Sequence, residues 1–195
     1  MNLNIVPAKQ GVTWVKQGIR TFWRQPLAFT GLFFLFIAWV SLLSMVPVLG
    51  AALALLILPA ATLGLMVATE QAASGKFPMP TVLMVAFRAG QQRLKAMLVL
   101  GGMYAVSFLA VMALSALIDG GDFAKVYLAN APITPEVVND PDFQIAMWFA
   151  TILYIPLSML FWHAPALVHW HGVPPLKSMF FSAVACWRNL GAFAV

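Results

Sequence analysis

The sequence predicts an all-α integral membrane protein with at least four transmembrane helices. Of its 195 residues, 62% are hydrophobic and 9% are charged, whereas soluble domains carry about 25% charged residues. No Asp, Glu, Lys or Arg occurs between Arg24 and Glu70, a run of 45 residues. About 20 apolar residues suffice to cross the roughly 30 Å hydrocarbon core of a bilayer, so this run is long enough for two spans. We expect a single membrane domain over residues 1–195.

Residues 10–24 are predicted to form an amphipathic helix that lies in the membrane interface. Apolar side chains recur every three or four residues, at Val12, Val15, Ile19, Phe22 and Trp23, and basic ones every four, at Lys16, Arg20 and Arg24. At about 100° per residue, the two sets occupy neighbouring sectors of the helix surface. Such a helix normally buries its apolar face among acyl chains and turns its basic face to anionic headgroups. A generic basic flank without lipid specificity accounts for the pattern equally well.

Four segments are predicted to span the bilayer. They are residues 27–46, 49–69, 96–118 and 143–169. The first opens at Pro26, a favourable first-turn residue, and a turn over residues 46–50 separates it from the second. Pro59 in the second span, and Pro156 and Pro165 in the fourth, are expected to kink or loosen their helices.

Two further basic amphipathic helices, residues 82–95 and 176–189, are predicted to lie in the interface beside the third and fourth spans. Residues 190–195 then become apolar again, which predicts the start of a further span. The three interfacial helices supply the candidate residues for lipid or interface binding. These are Lys16, Arg20, Arg24, Arg88, Arg93, Lys177, Arg188, Trp23 and Trp187.

An internal similarity supports the prediction of a further span. Residues 22–29 align with residues 186–193 at a fixed offset of 164, and Trp, Arg, Ala and Phe are identical in the two segments. The common unit would be an interfacial helix that turns into a span at a Trp-Arg pair, and chance similarity between two membrane flanks is the alternative. If the repeat is real, we expect this chain to be a truncated form of a protein with five or six spans.

The charges predict an orientation. All Lys and Arg residues except Lys125 fall on one face of the four-span arrangement, and five of the six acidic residues fall on the other, between Asp119 and Asp142. The positive-inside rule then places both termini in the cytoplasm and the acidic loop in the periplasm or at the exterior. Within that loop, Thr134 and Asp140 each precede a proline, as helix N-caps do.

No pattern in the sequence indicates catalysis, and we expect neither an enzyme nor a bound cofactor or metal. The common nucleotide-binding, hydrolase and metalloprotease motifs are missing. His163, His169 and His171 precede Cys186 and raise the idea of a metal or haem site. At about 100° per residue, however, His163 and His169 face different sides of one helix. The net charge of +5 does not indicate a nucleic-acid partner, because membrane proteins collect Lys and Arg on their cytoplasmic side.

The remaining function classes are membrane-based. Proton-coupled transporters place charged residues inside their spans, and none of the four predicted spans has one in its interior. We therefore expect an interaction or organising module that binds anionic membrane lipids or a protein partner. The alternative is a passive transporter or a subunit of a transport complex.

Several motifs resemble those of a known family. The specific block comprises Phe161–Val168, Trp170–Lys177 and Ala185–Asn189. Val6-Pro7-Ala8 with Gly11 and Trp14, and Asp119-Gly120-Gly121, match as well. On these motifs the chain resembles an uncharacterised multi-pass inner-membrane protein family of proteobacteria, whose members continue beyond the point where this chain stops. The resemblance implies a bacterial inner-membrane location and supplies no site residues, since the function of the family is not established.

Overall fold

The computed structural model describes residues 3–46 and 49–194, and the regular secondary structure of these residues is entirely helical. The helices are α1 (Gln10–Arg24), α2 (Pro26–Ser44), α3 (Leu49–Ala73), α4 (Val85–Arg88), α5 (Gln91–Asp119), α6 (Asp122–Ala129), α7 (Pro135–Asn139), α8 (Pro141–Phe161), α9 (Ala164–His171), α10 (Pro175–Arg188) and α11 (Leu190–Phe193). A 3₁₀ helix, Pro80–Met84, precedes α4. The centre of the predicted turn at 46–50, and residue 195 of the predicted further span, lie outside the described residues.

Four stretches of the described chain are long and apolar enough to cross a membrane. They are Pro26–Leu43, Leu49–Ala73, Gln91–Asp119 and Pro141–His171, the last comprising α8 and α9. The predicted fold class is confirmed: the protein is an all-α membrane protein with four membrane-capable helical segments. The observed helices extend beyond several predicted bounds, because polar residues at both ends of α5 and at the end of α3 continue the helix.

The core forms where α3, α5 and α8 pack side by side, with α5 in the middle. Glycines permit close approach of α5 to α3 and of the 3₁₀ helix to α3. A Cβ added to Gly101 of α5 would lie 2.0 Å from the carbonyl oxygen of Leu56 in α3, and one added to Gly64 of α3 would lie 2.7 Å from Cα of Leu83. The backbones therefore touch at both positions, and no larger residue fits without moving a helix.

Helix α2 is peripheral to this core. It packs mainly on α3 and buries Ala28 and Leu32, whereas Leu27 is 83% exposed and Phe34 and Leu42 also point outward. In a membrane protein such a face is covered by lipid, so the exposed apolar residues of α2 agree with its assignment as a span.

The prediction of one interfacial helix over residues 82–95 is wrong. The chain instead forms the 3₁₀ helix and the short helix α4, and it then breaks at Gly90, which has φ +93°. Glycine adopts this conformation readily because it has no Cβ. Arg93 consequently lies in the first turn of the spanning helix α5, separated by the break from Arg88 of α4.

The predicted fourth span is divided into two helices, α8 and α9, by a break at Trp162 and His163. Pro165, at the second position of α9, contributes no backbone N–H. At the break, the hydroxyl of Ser182 in α10 accepts a hydrogen bond from His163 N at 2.9 Å and donates one to Met159 O at 2.7 Å. These two groups would pair with each other in a continuous helix. Ser182 therefore replaces the missing step of the helix by a bridge to α10.

Two expected disruptions do not divide their helices. The helix α3 continues through Pro59, and α8 continues through Pro156. The predicted interfacial helix 176–189 corresponds to α10, but it does not lie free on a surface. Its buried stripe, which contains Ser178, Met179 and Cys186, packs against the bundle, mainly on α8 and α9.

Candidate functional site: a basic amphipathic helix and an aromatic cavity

Helix α1 is the clearest candidate for a membrane-interface element. Its apolar residues are not packed inside the protein: Val15 is 56% exposed, Ile19 is 55% exposed and Trp23 is 70% exposed. Lys16 and Arg20 are exposed as well. The helix thus presents an uncovered apolar face and a neighbouring basic face, an arrangement that suits the boundary between acyl chains and headgroups.

Arg24, the last residue of α1, differs from the other two basic residues of the helix. Its Nη1 donates a hydrogen bond of 3.1 Å to the carbonyl oxygen of Ala73, the last residue of α3. A cation at this position also interacts favourably with the negative end of the α3 dipole. Arg24 therefore connects α1 to the bundle, and this leaves Lys16 and Arg20 as the outward-facing cations of the helix.

The basic residues Arg88 and Arg93 lie on separate elements that meet at one end of the bundle. Both side chains are exposed. Arg93, at the start of α5, and Glu70, near the end of α3, lie within electrostatic range of His169 in α9. The structure therefore brings Arg93 of α5 and Glu70 of α3 near the imidazole of His169 in α9.

The candidate residues of α10 lie at the two ends of that helix. Lys177 is exposed near the start of the helix. Trp187 and Arg188, at its end, line a groove of about 500 Å³ together with Pro156 and Leu160 of α8. The structure thus places the Trp-Arg pair of α10 beside the C-terminal part of α8.

The two Trp-Arg pairs nevertheless share their local geometry. Trp23 is 70% exposed and Trp187 is 69% exposed. In both cases a single non-helical residue follows the arginine, and its backbone N–H donates to the carbonyl three residues earlier at 3.1 Å, from Gln25 to Phe22 and from Asn189 to Cys186. A new helix then starts immediately. The similarity noted in the sequence is therefore also a similarity of backbone conformation.

Asn189 joins the two ends of the described chain. Its Oδ1 accepts a hydrogen bond from Val6 N at 2.8 Å, and its Nδ2 donates to Asn4 O at 3.1 Å and to Ala185 O at 2.9 Å. These contacts hold the extended N-terminal segment against the end of α10. Two of the motifs that carry the family resemblance, around Val6 and around Asn189, therefore meet in space.

A cavity of about 910 Å³ lies beside this junction and was not predicted from the sequence. The N-terminal segment, α1, α9, α10 and α11 all contribute to its walls. Phe193 of α11 packs against Trp14 of α1, with ring centroids 5.5 Å apart, and against Trp162 at 5.8 Å. The sequence signal that could have revealed the cavity is the concentration of aromatic and histidine residues between 161 and 193.

The histidines near Cys186 do not converge with it on one site. His163 packs edge-on against Phe193, and His169 packs against Trp170. Cys186 is buried, and burial raises the pKa of its thiol. Because the thiolate is the reactive form, this cysteine is expected to be chemically inert in the folded protein.

The acidic residues between 119 and 142 act mainly at helix ends. Asp119 accepts hydrogen bonds from the N–H groups of Gly121 and Phe123, and Asp140 accepts one from Asp142 N at the start of α8. The hydroxyl of Thr134 accepts one from Val137 N and, through its contact with Glu136, lowers the pKa of that carboxyl. Most of these polar groups therefore have a capping role, which explains why so many occur in one short segment.

A curated protein is similar to this chain along its whole length. The chain is 47% identical over 198 residues to a probable inner membrane protein of Burkholderia thailandensis, and the alignment covers 100% of the chain and 73% of that protein. No protein-family model matches the chain. No solved structure matches it either.

Proposed function

Since the chain belongs to the same family as the probable inner membrane protein of Burkholderia thailandensis, we propose that it is a membrane-embedded interaction and organising module whose helix α1 binds anionic lipid headgroups. The family resemblance inferred from the motifs is confirmed by this match, and the protein is an inner membrane protein with several spans. Headgroup binding goes beyond both findings and rests on the properties of α1.

The observation that carries the proposal is the exposure of both faces of α1. Exposed apolar side chains in a contiguous row are unfavourable in water and mark contact with lipid or protein. Lys16 and Arg20 lie beside that row and are themselves exposed. A lipid interface satisfies both faces at once, because acyl chains cover the apolar side and phosphates approach the cations.

The proposed orientation places α1 on the cytoplasmic leaflet. It follows from the positive-inside rule, since Lys and Arg are enriched in the short segments on the cytoplasmic side of spanning helices. The hydrogen bond from Arg24 to Ala73 O supports placing the end of α1 at the same membrane face as the end of α3. Anionic lipids of that leaflet would then lie next to Lys16 and Arg20.

Replacing Arg20 by Gln is expected to weaken binding of anionic lipid. Each basic residue near an anionic surface contributes about 1 kcal/mol, which corresponds to a roughly fivefold loss of affinity. The measurement is a titration of the purified protein in mild detergent with phosphatidylglycerol, followed by the shift of its thermal unfolding midpoint. Raising the salt concentration should reduce the difference between variant and parent, because salt screens exposed charges.

The matched control for Arg20→Gln is Lys125→Gln, which removes one positive charge from α6. Lys125 is exposed and forms an ion pair with Asp122 at 2.7 Å. Equal losses of lipid affinity in the two variants would contradict the proposal. A stoichiometric protein recovered with the parent and lost with Arg20→Gln would indicate a protein partner of α1 instead, and solute flux through liposomes that contain this protein alone would support passive transport.

A further inference from the structure

The aromatic cavity of about 910 Å³ has an uncharged wall. Among the described residues that line it, none is Lys, Arg, Asp or Glu. Its apolar surface is supplied by rings from four different helices. These are Trp14 of α1, Trp170 of α9, Phe180 and Phe181 of α10, and Phe193 of α11. Burying an unpaired ionic group in such surroundings is unfavourable, so the wall selects against a charged ligand.

The polar groups in the wall differ in their availability. The side-chain amide of Asn189 is engaged in three hydrogen bonds within the protein. The imidazoles of His163 and His171 also line the cavity, and neither has a hydrogen-bond partner among the described residues. A neutral imidazole carries one N–H donor. Its other ring nitrogen is an acceptor, so the wall can donate hydrogen bonds to a ligand that brings acceptors and can accept them from one that brings donors.

Part of the cavity wall is an exposed apolar surface. Phe180, Phe181 and Trp170 are all exposed at its rim. In a membrane protein this surface is in contact with lipid, so a molecule dissolved in the bilayer can enter directly.

We propose that this cavity binds an uncharged lipid with a flat, hydrogen-bond-accepting head, the chemistry of a membrane quinone. The flat ring would pack among the aromatic side chains, which prefer offset or edge-on contacts with other rings. The carbonyl oxygens would accept hydrogen bonds from His163 and His171. The volume lies within the range of about 300–1,000 Å³ that is usual for small-molecule sites. Lys16 and Arg20, the headgroup-binding cations of α1, do not line this cavity. A negative result for one proposal therefore does not contradict the other.

The test is a titration of the purified full chain in detergent with decylubiquinone, monitored by tryptophan fluorescence. Trp14 and Trp170 line the cavity, so a bound quinone should quench their emission and the quenching should saturate. Ala185→Phe places a large ring in the cavity and is expected to raise the Kd at least about tenfold, equivalent to 1.4 kcal/mol. Ala183→Phe is the matched control, because Ala183 lies two residues away on α10 and faces the groove beside α8 instead.

Two further variants keep the test decisive. If Ala185→Phe does not fold, Ala166→Phe blocks the same cavity from α9. The double variant His163→Phe and His171→Phe preserves the ring shapes and removes both donors, and it should raise the Kd by roughly three- to tenfold for each hydrogen bond lost. Lys125→Gln, on α6 and outside the cavity wall, should leave the quinone affinity unchanged.

The proposal would be overturned by quenching that never saturates, or by equal quenching in the Ala185→Phe and Ala183→Phe proteins. It would also be overturned if phosphatidylglycerol displaced decylubiquinone at equal concentration, since the cavity would then accept a charged lipid. Saturable quenching that depends on Ala185 and not on Ala183 is the result that supports it.

Discussion

Replacing Gly101 by Val should prevent α3 and α5 from packing and give the largest loss of stability of any substitution considered. A Cβ at this position would lie 2.0 Å from the carbonyl oxygen of Leu56, and that oxygen belongs to the backbone of α3. A flexible side chain could move away, but here a whole helix must shift. Overpacking ordinarily costs about 1–3 kcal/mol, and we expect a loss at or above the upper end of that range.

The matched control is Gly102→Ala, one residue along the same helix. Its added Cβ would lie 3.9 Å from Cδ1 of Leu56, which is an ordinary van der Waals contact. The measurement is the thermal unfolding midpoint of each purified variant in the same detergent. Similar midpoints for Gly101→Val and Gly102→Ala would show that the two helices do not pack at Gly101 as described.

Replacing Ser182 by Ala should also destabilise the bundle strongly. The hydroxyl of Ser182 is buried and is the hydrogen-bond partner of both His163 N and Met159 O. Without it, a partly buried donor and a partly buried acceptor at the break between α8 and α9 are left unpaired. Each unpaired group costs about 1–3 kcal/mol, so we expect a clear fall in the unfolding midpoint.

The control for Ser182→Ala is Ser178→Ala on the same helix. Ser178 is also fully buried, but its hydroxyl donates only to Pro175 O, within its own helix. Removing the Ser178 hydroxyl should therefore lower the unfolding midpoint much less than removing that of Ser182. If the two alanine variants unfold at the same temperature, the bridge across the break does not contribute as described. Hydrogen exchange at His163 N should be faster in Ser182→Ala, which reports on the bridge directly.

The spans could be predicted from the sequence because their signal is local. A long uncharged apolar run is unfavourable in water, whatever it packs against. Which residues face the core could not be predicted in the same way, because the spans are apolar on all sides. Leu27 is 83% exposed and Leu63 is fully buried, although both are leucines in similar runs. Only the neighbouring helices distinguish them.

Other features depend on contacts between distant parts of the chain. Pro165 indicates a disruption of the fourth span, but the break between α8 and α9 is stabilised by Ser182, about twenty residues later. The wall of the aromatic cavity includes Val6, which is hydrogen-bonded to Asn189. Gly90 is a local signal for the break before α5, because a glycine ahead of a basic, helix-forming stretch is typical of such a break. The sequence does not distinguish Arg24, which is hydrogen-bonded to the end of α3, from Lys16 and Arg20, because all three recur at the same four-residue spacing.

The arrangement of the four spans and the side of the membrane on which α1 lies can be tested by one cysteine-labelling experiment. The natural Cys186 is buried and is replaced by Ala, and single cysteines are introduced at Ser74, after α3, and at Ala129, at the end of α6. Both positions are exposed. In intact cells, a maleimide that cannot cross the inner membrane should label the cysteine at 129, whereas the one at 74 should react only after lysis. Labelling of position 74 in intact cells, with position 129 protected, would contradict the proposed orientation and with it the placement of α1 on the cytoplasmic leaflet.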